Sequence, residues 1–186
     1  MGLNEKFFKT AADTPIVPSE HFNTVLYTGS GTSGGNTKNI TNVGFAPAFT
    51  WIKNRSFALN HYLYDSIRGT GAAKALHSNT NSSEASASTY STNGGVSAFL
   101  SNGFTAYRGT DNTYQGTNMN GQDYVAWNWY APTSETNTDG TITSTIKKNV
   151  DAGFSIVNWN GDGGFGNIGH GLNATPQIIL YKALGQ

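Results

Sequence analysis

The stretch Tyr124-Val-Ala-Trp-Asn-Trp-Tyr130 decides the fold, because it is the clearest β-strand in the chain. Aromatic and β-branched residues fill it, and both kinds of residue are enriched in strands. Side chains alternate between the two faces of a strand, so Val125, Trp127 and Trp129 share one face. We expect the indoles of Trp127 and Trp129, together with that of Trp51, to lie in the hydrophobic core.

Short apolar runs of the same kind recur along the chain, each bounded by Gly, Pro or Asn, and such runs are typical of strands. They cover residues 22–27, 48–52, 61–64, 96–99 and 103–107. The turn signal Ser101-Asn-Gly103 predicts that the last two form a hairpin. Residues 78–95 are rich in Ser, Thr and Asn, which predicts a long surface loop. Turn signals spaced about ten residues apart indicate an all-β sandwich or barrel.

Part of the chain repeats. The segment Phe-Asn-Thr-Val-Leu-Tyr-Thr-Gly at 22–29 returns as Phe-Ser-Ile-Val-Asn-Trp-Asn-Gly at 154–161, and residues 47–53 return at 176–182. A repeat of this kind is usually one supersecondary unit used twice. The chain is therefore expected to contain an N-terminal docking arm and one β-sandwich domain. The expected bounds are 1–20 for the arm and 21–186 for the domain, with a full module at 21–131, a connector and hairpin at 132–150, and a partial second copy of the first two strands at 151–186.

The arm differs in sequence from the rest of the chain. Residues 6–12 could make one helical turn, whereas residues 13–18 must run extended because Pro15 and Pro18 prevent a regular helix there. Its apolar side chains either cap the core of the domain or dock onto a partner, and aromatic anchors often dominate the energy of an interface. The expected docking residues are Phe7, Phe8, Ile16 and Val17.

Composition excludes several classes of function. Charged residues make up 12% of the chain and the formal net charge is zero, whereas roughly 25% is average. The basic cluster that nucleic-acid binding requires is missing. Without cysteine, disulfides and thiolate zinc sites are excluded. No apolar run approaches the roughly 20 residues of a membrane span, and the first residues lack the apolar region of a signal peptide.

The acidic residues give no support for hydrolysis. A glycosidase needs two carboxylates about 5–10 Å apart on either side of the sugar, and none of the four glutamates shares an alternating strand with another acid. In Asp65-Ser-Ile-Arg68, the two charged side chains are expected to pair with each other and with backbone amides. The sequence therefore predicts that the chain is not an enzyme. The glutamates are Glu5, Glu20, Glu84 and Glu135.

Metal binding is not indicated either, and we expect no cofactor. His61, His77 and His170 are far apart in sequence, and His170 lies between two glycines, where its ring is expected to bond to the backbone of a turn. Sugar binding is a stronger candidate, because aromatic rings beside loops rich in Asn and Asp can stack on a sugar. The candidate glycan-contact residues are Tyr107, Tyr114, Trp159 and Phe165.

Over about residues 21–186, a series of motifs resembles that of a known protein family. In chain order they are Trp51-Ile-Lys-Asn-Arg55, His61-Tyr-Leu-Tyr-Asp65-Ser-Ile-Arg-Gly69, Leu76-His-Ser-Asn79, Phe99-Leu-Ser-Asn-Gly-Phe104, Tyr124-Val-Ala-Trp-Asn-Trp129, Asn137-Thr-Asp-Gly-Thr-Ile-Thr-Ser144, Gly153-Phe-Ser-Ile-Val157 and Ile168-Gly-His-Gly-Leu172. The series resembles a repeat module of structural, tail-fibre-like proteins of tailed bacteriophages, notably marine phages. The resemblance implies a concanavalin-like (jelly-roll) β-sandwich and carries no catalytic motif.

Together these observations predict a non-enzymatic virion structural protein exposed on the particle surface. It would be a capsid decoration or cement protein, or a small tail-appendage subunit. Its expected partners are other virion proteins and further copies of itself, without nucleic acid or membrane insertion. Its expected location is the virion, assembled in the cytoplasm of the host bacterium. The alternative is a tail-fibre module that binds glycans of a host receptor.

Overall fold

A computed structural model describes residues 15–71, 74–84, 86–112 and 115–185. Phe7, Phe8 and Tyr114, and with them most of the predicted arm, lie outside the described residues. Of the other predicted docking residues, Ile16 and Val17 lie on the described part of the arm and are exposed. They directly precede a single 3₁₀ turn, Pro18–Glu20, which leads into the first strand.

The described residues form ten strands and one short helix. The strands are β1 (Phe22–Thr28), β2 (Thr37–Ile40), β3 (Phe49–Asn54), β4 (Tyr62–Asp65), β5 (Gly95–Leu100), β6 (Gly103–Tyr107), β7 (Asp123–Trp129), β8 (Thr133–Asn137), β9 (Ser144–Asn149) and β10 (Phe154–Trp159). The helix α1 (Ala87–Asn93) interrupts the segment at 78–95 that the composition predicts to be one long loop. No helix in this described part is long and apolar enough to cross a membrane.

The strands form three sheets in which every strand pairing is antiparallel. Sheet I has the order β1-β7-β3-β4, sheet II the order β2-β6-β5, and sheet III the order β10-β9-β8. The predicted hairpin is present as β5 and β6. The strand that decides the fold, β7, lies in the middle of sheet I and pairs with both β1 and β3. The prediction of an all-β sandwich is confirmed.

The hydrophobic core lies between sheets I and II. From sheet I it takes Ile52, Tyr64 and Tyr124, and from sheet II it takes Val96 and Phe104, all of them fully buried. Burial of apolar surface is the main favourable term in folding, at about 25 cal/mol per Å². The packing of these two sheets is therefore the centre of stability of the domain.

The three tryptophans predicted to be core residues lie on the other face of sheet I. Trp51, Trp127 and Trp129 are only partly buried, whereas the alternate positions of β7, including Tyr124 and Asn128, are completely buried. Strand alternation assigns the two sets of side chains to opposite faces but does not say which face is inside. Lys53 shares the face of Trp51, and its charge is the signal in the sequence that identifies this face as the outer one.

A polar group occupies the buried face of sheet I. The side chain of Asn128 is fully buried, and its Oδ1 accepts a hydrogen bond from Oγ1 of Thr50 at 3.0 Å. Its Nδ2 donates to the carbonyls of Ala126 and Asn23, at 3.1 and 3.2 Å. Buried polar groups are tolerated when they are hydrogen-bonded, and this network ties the three neighbouring strands β1, β7 and β3 together.

The C-terminal part follows the predicted repeat only in its first strand. The hairpin predicted within 132–150 is present as β8 and β9, and β10 is the counterpart of β1. Residues 176–182, predicted to be the counterpart of β3, do not form a strand. A strand requires a neighbour to accept its backbone hydrogen bonds, and within the described residues this segment has no neighbouring strand.

Candidate functional surface

The outer side of sheet I carries a cluster of aromatic rings, here called the aromatic face and made of Phe22, Phe49, Trp51, Trp127 and Trp129. Strand register places Trp129 between Phe22 and Phe49. Its ring centroid lies 4.8 Å from that of Phe22 and 5.3 Å from that of Phe49. Cross-strand aromatic pairs of this kind stabilise a sheet, and they also place flat apolar rings at the protein surface.

Sheet III covers one end of the aromatic face. The ring of Phe154, the first residue of β10, stacks on Trp129 with a centroid distance of 6.0 Å and lies 6.4 Å from Phe49. At the end of β9, Nδ2 of Asn149 donates to the carbonyl of Tyr130 at 3.1 Å. These contacts join sheet III to the sandwich.

The other end of the aromatic face is formed by Trp51, Trp127 and His61. The two indoles meet edge to face at 6.0 Å, and Nε1 of Trp51 donates a hydrogen bond to Nδ1 of His61 at 2.8 Å. The acceptor must be an unprotonated ring nitrogen. Burial lowers the pKa of the His61 imidazole, and the ammonium of Lys53 lowers it further. The geometry therefore favours a neutral His61.

A polar groove lies beside β4, between the loop before this strand and the segment that precedes α1. It consists of two adjoining depressions of about 340 and 370 Å³, which share Asn60 and Asn93. His77 lines one of them; its Nδ1 lies 2.7 Å from the carbonyl of His61. Burial lowers the pKa of His77, with a smaller contribution from Lys182. The groove is lined by amide, hydroxyl and imidazole groups and by the carboxylate of Glu84.

The acidic residue that lines this groove, Glu84, is engaged in an ion-pair network. Nη1 of Arg68 lies 2.5 Å from Oε1 of Glu84, and Nε of Arg68 lies 2.5 Å from Oδ2 of Asp65. The other oxygen of Asp65 accepts hydrogen bonds from the backbone amides of Ile67 and Arg68, at 3.0 and 2.9 Å. The predicted pairing of Asp65 with Arg68 and with backbone amides is confirmed. Glu84 adds a second carboxylate to this network from a separate loop, a contact that the sequence does not predict.

The segment Ile178-Ile-Leu-Tyr181, here called the C-terminal apolar run, is a contiguous stretch of exposed apolar residues. Its four side chains are between 70% and 83% exposed. The run is held at one end, because Nζ of Lys182 donates to the carbonyl of His77 at 3.2 Å and also to that of Thr80. Contiguous exposed apolar surface of this kind typically marks an interaction site.

The three predicted glycan-contact residues that the structure describes lie on different elements. Tyr107 is on sheet II, where its ring stacks on Tyr90 at 4.7 Å. Trp159 ends β10 in sheet III, with its ring 5.8 Å from Tyr181, and Phe165 is fully exposed in the loop that follows. The sequence did not identify the aromatic face or the polar groove, because both depend on which sides of strands and loops face solvent.

The histidines are used structurally. Nδ1 of His170 accepts the backbone amide of Leu172 at 3.0 Å, so the predicted turn role of His170 is confirmed. Across the described ranges, no three His, Asp or Glu side chains come together in a way that could hold a metal ion.

Acidification below about pH 6.5 is expected to destabilise the fold through His61 and His77. Their folded pKa values lie below the ordinary value of about 6.5. Between these lowered pKa values and about pH 6.5, the unfolded chain therefore binds more protons than the folded chain. The stabilising contribution is complete above about pH 6.5 and is lost as the pH falls through the folded values. Urea unfolding across this range measures it. The His61→Gln/His77→Gln variant should lose less stability on acidification, and an unchanged loss would assign the effect to other groups.

One family model, described as a domain of unknown function (DUF7483), matches residues 17–186. The match therefore runs through the sandwich, sheet III and the C-terminal apolar run. Searches of curated proteins and of solved structures found no match.

Proposed function

Since the chain belongs to the DUF7483 family of domains of unknown function, we propose a function from its fold, its surface and its motif resemblance. The protein is a non-enzymatic structural protein of a bacteriophage virion, exposed on the particle surface. It serves there as a capsid decoration or cement protein, or as a small tail-appendage subunit. Its expected partners are other virion proteins and further copies of itself.

The observation that carries this proposal is the C-terminal apolar run. Four consecutive large apolar side chains stay between 70% and 83% exposed on a domain that buries other apolar residues, such as Ile52 and Phe104, completely. A monomeric protein rarely exposes contiguous apolar residues in this way, whereas a subunit of an assembly buries them against a neighbour. The resemblance to modules of phage structural proteins supplies the kind of assembly.

The acids at the polar groove also favour a structural role. A carboxyl group that acts as general acid or nucleophile must reach its substrate. Asp65 and Glu84 instead share the guanidinium of Arg68. Such an arrangement stabilises a fold and leaves neither carboxylate free for hydrolysis.

A second candidate function is binding of host-receptor glycans by a tail-fibre module. The observation in its favour is the partly exposed pair Trp51 and Trp127, whose rings meet edge to face. Trp51 is hydrogen-bonded to His61, and the preceding residue, Asn60, lines the polar groove. Aromatic stacking together with amide hydrogen bonds is the usual chemistry of sugar recognition. Single sites of this kind are weak, so such a module would act in multiple copies.

Immunogold electron microscopy of intact particles of the virus that encodes the chain tests the proposal. Gold label spread over the head is expected for a decoration or cement protein, and label along a tail appendage for a tail subunit. Label confined to tail tips would favour the glycan-binding alternative. Absence of both label and the polypeptide from purified particles, with the protein present in infected cells, would refute the virion assignment.

A further inference from the structure

The C-terminal apolar run forms no regular secondary structure and, within the described residues, it lacks the neighbouring strands that its sequence favours. Residues 177–181 are Gln-Ile-Ile-Leu-Tyr, and they contain no charged side chain. Within the described part of the chain, their backbone groups make no hydrogen bond to the backbone of other residues. Branched and aromatic residues of this kind favour a pleated, half-buried strand. An unpaired edge with these properties readily pairs with another strand.

The internal repeat shows what this sequence does when partners are present. Its counterpart in the first copy is β3, which pairs with β7 on one side and with β4 on the other. In the alignment of the two copies, Leu180 takes the place of Trp51, whose register partners are Trp127 and Leu63. The first copy thus buries one side of this strand and pairs both of its edges. The second copy has the strand sequence and exposes it.

The fold holds the segment in place for pairing. Lys182 is fixed to the carbonyls of His77 and Thr80, and the ring of Tyr181 lies 5.8 Å from that of Trp159. Beyond Lys182, the carbonyl of Leu184 accepts the backbone amide of Glu84 at 3.0 Å. Anchoring at this end reduces the conformational entropy that would be lost on forming a strand.

We propose that residues 177–181 pair antiparallel with the same residues of a second copy, which makes a symmetric dimer. In the register centred on Ile179, this residue faces Ile179 of the second copy, and Ile178 faces Leu180. All cross-strand pairs are then uncharged, and three of the five are aliphatic. A two-fold interface requires a self-complementary patch, and this segment is one. The main-chain hydrogen bonds of strand addition supply the remaining contacts.

A second copy fits this edge better than a charged partner does. The edge offers no charge to steer or select such a partner. The formal net charge of the chain is zero, so two copies do not repel each other over long range. This inference concerns the chain itself and does not depend on the virion assignment.

Charge-swap variants of the full chain test the pairing. Wild-type protein is expected to form a dimer of about twice 19.8 kDa in sedimentation equilibrium. The variant Ile178→Lys/Leu180→Lys places like charges opposite one another, and so does Ile178→Glu/Leu180→Glu. Each variant alone should dimerise at least about tenfold more weakly than wild type. An equimolar mixture of the two should recover a heterodimer, because every altered pair then has opposite charges.

Recovery in the mixture distinguishes pairing of this segment from loss of folding or from contact with another surface. Asn81→Lys/Ser82→Lys, at two exposed positions of the neighbouring loop, is the matched control and should dimerise as wild type does. Circular dichroism of each variant verifies that the β-fold is retained. A wild-type chain that stays monomeric over the whole concentration range would overturn the proposal. So would charge variants that dimerise unchanged, or that stay monomeric when mixed.

Discussion

Replacing Arg68 with methionine is expected to lower the free energy of unfolding by about 3–5 kcal/mol. The side chain of Arg68 is 6% exposed and lies between the carboxylates of Asp65 and Glu84. Methionine preserves much of the volume but removes the charge. Two carboxylates would then remain near each other, one of them buried, with no cation between them. Leaving a buried charge uncompensated costs far more than the intact pair contributes.

Equilibrium urea unfolding of wild type and variant measures this loss. The matched control is Lys148→Met, which breaks the pair between Nζ of Lys148 and Oε1 of Glu135 at 2.7 Å. That pair is more exposed, and exposed pairs contribute about 0–1 kcal/mol. Equal losses in the two variants would mean that burial does not distinguish the two ion pairs, contrary to the structure.

Replacing Phe104 with alanine is expected to cost about 3–5 kcal/mol. Phe104 is fully buried on β6, where sheet II meets sheet I, and its ring lies 6.1 Å edge-on from that of Tyr27. Truncation removes a large apolar group and leaves a cavity between the two sheets, and both effects destabilise the fold. The loss should appear as a lower urea midpoint.

Phe165→Ala is the control for this prediction, since it is the same chemical change at a fully exposed site. Surface substitutions of this kind usually change stability by within about 0.5 kcal/mol. A small loss for Phe104→Ala, or a loss at Phe165 as large as at Phe104, would contradict the assignment of the core to the interior of the sandwich.

Local sequence was sufficient for the strands and for contacts between near neighbours. The alternation in β7, the turn at Ser101-Asn-Gly103 and the pair of Asp65 and Arg68 all depend on residues a few positions apart. Each can be predicted from the sequence, because strand propensity, turn chemistry and charge pairing act over such distances. The all-β class follows from the sum of these local signals.

The remaining features depend on long-range packing. The alternation of side chains along β7 places Trp127 and Trp129 on one face, but it does not show whether that face lies in the core or at the surface. In the structure, the buried face of β7 carries Tyr124 and Asn128 instead. Glu84 lies in a polar loop and contacts Arg68, and no spacing of residues in the sequence predicts that contact. The aromatic face and the polar groove arise from the same long-range choices. The phage resemblance and the concanavalin-like topology remain proposals.

The central position of β7 has a consequence for synthesis of the chain on the ribosome. Both β1 and β3 pair with β7, which begins about 70 residues after β3 ends. At roughly 5–20 residues per second, the earlier strands are without this partner for roughly 3–14 s after β3 is made. Throughout that interval Ile52 and Val25 have no completed core to enter. Nascent chains on one messenger RNA are therefore most prone to associate before residue 129 has left the ribosome.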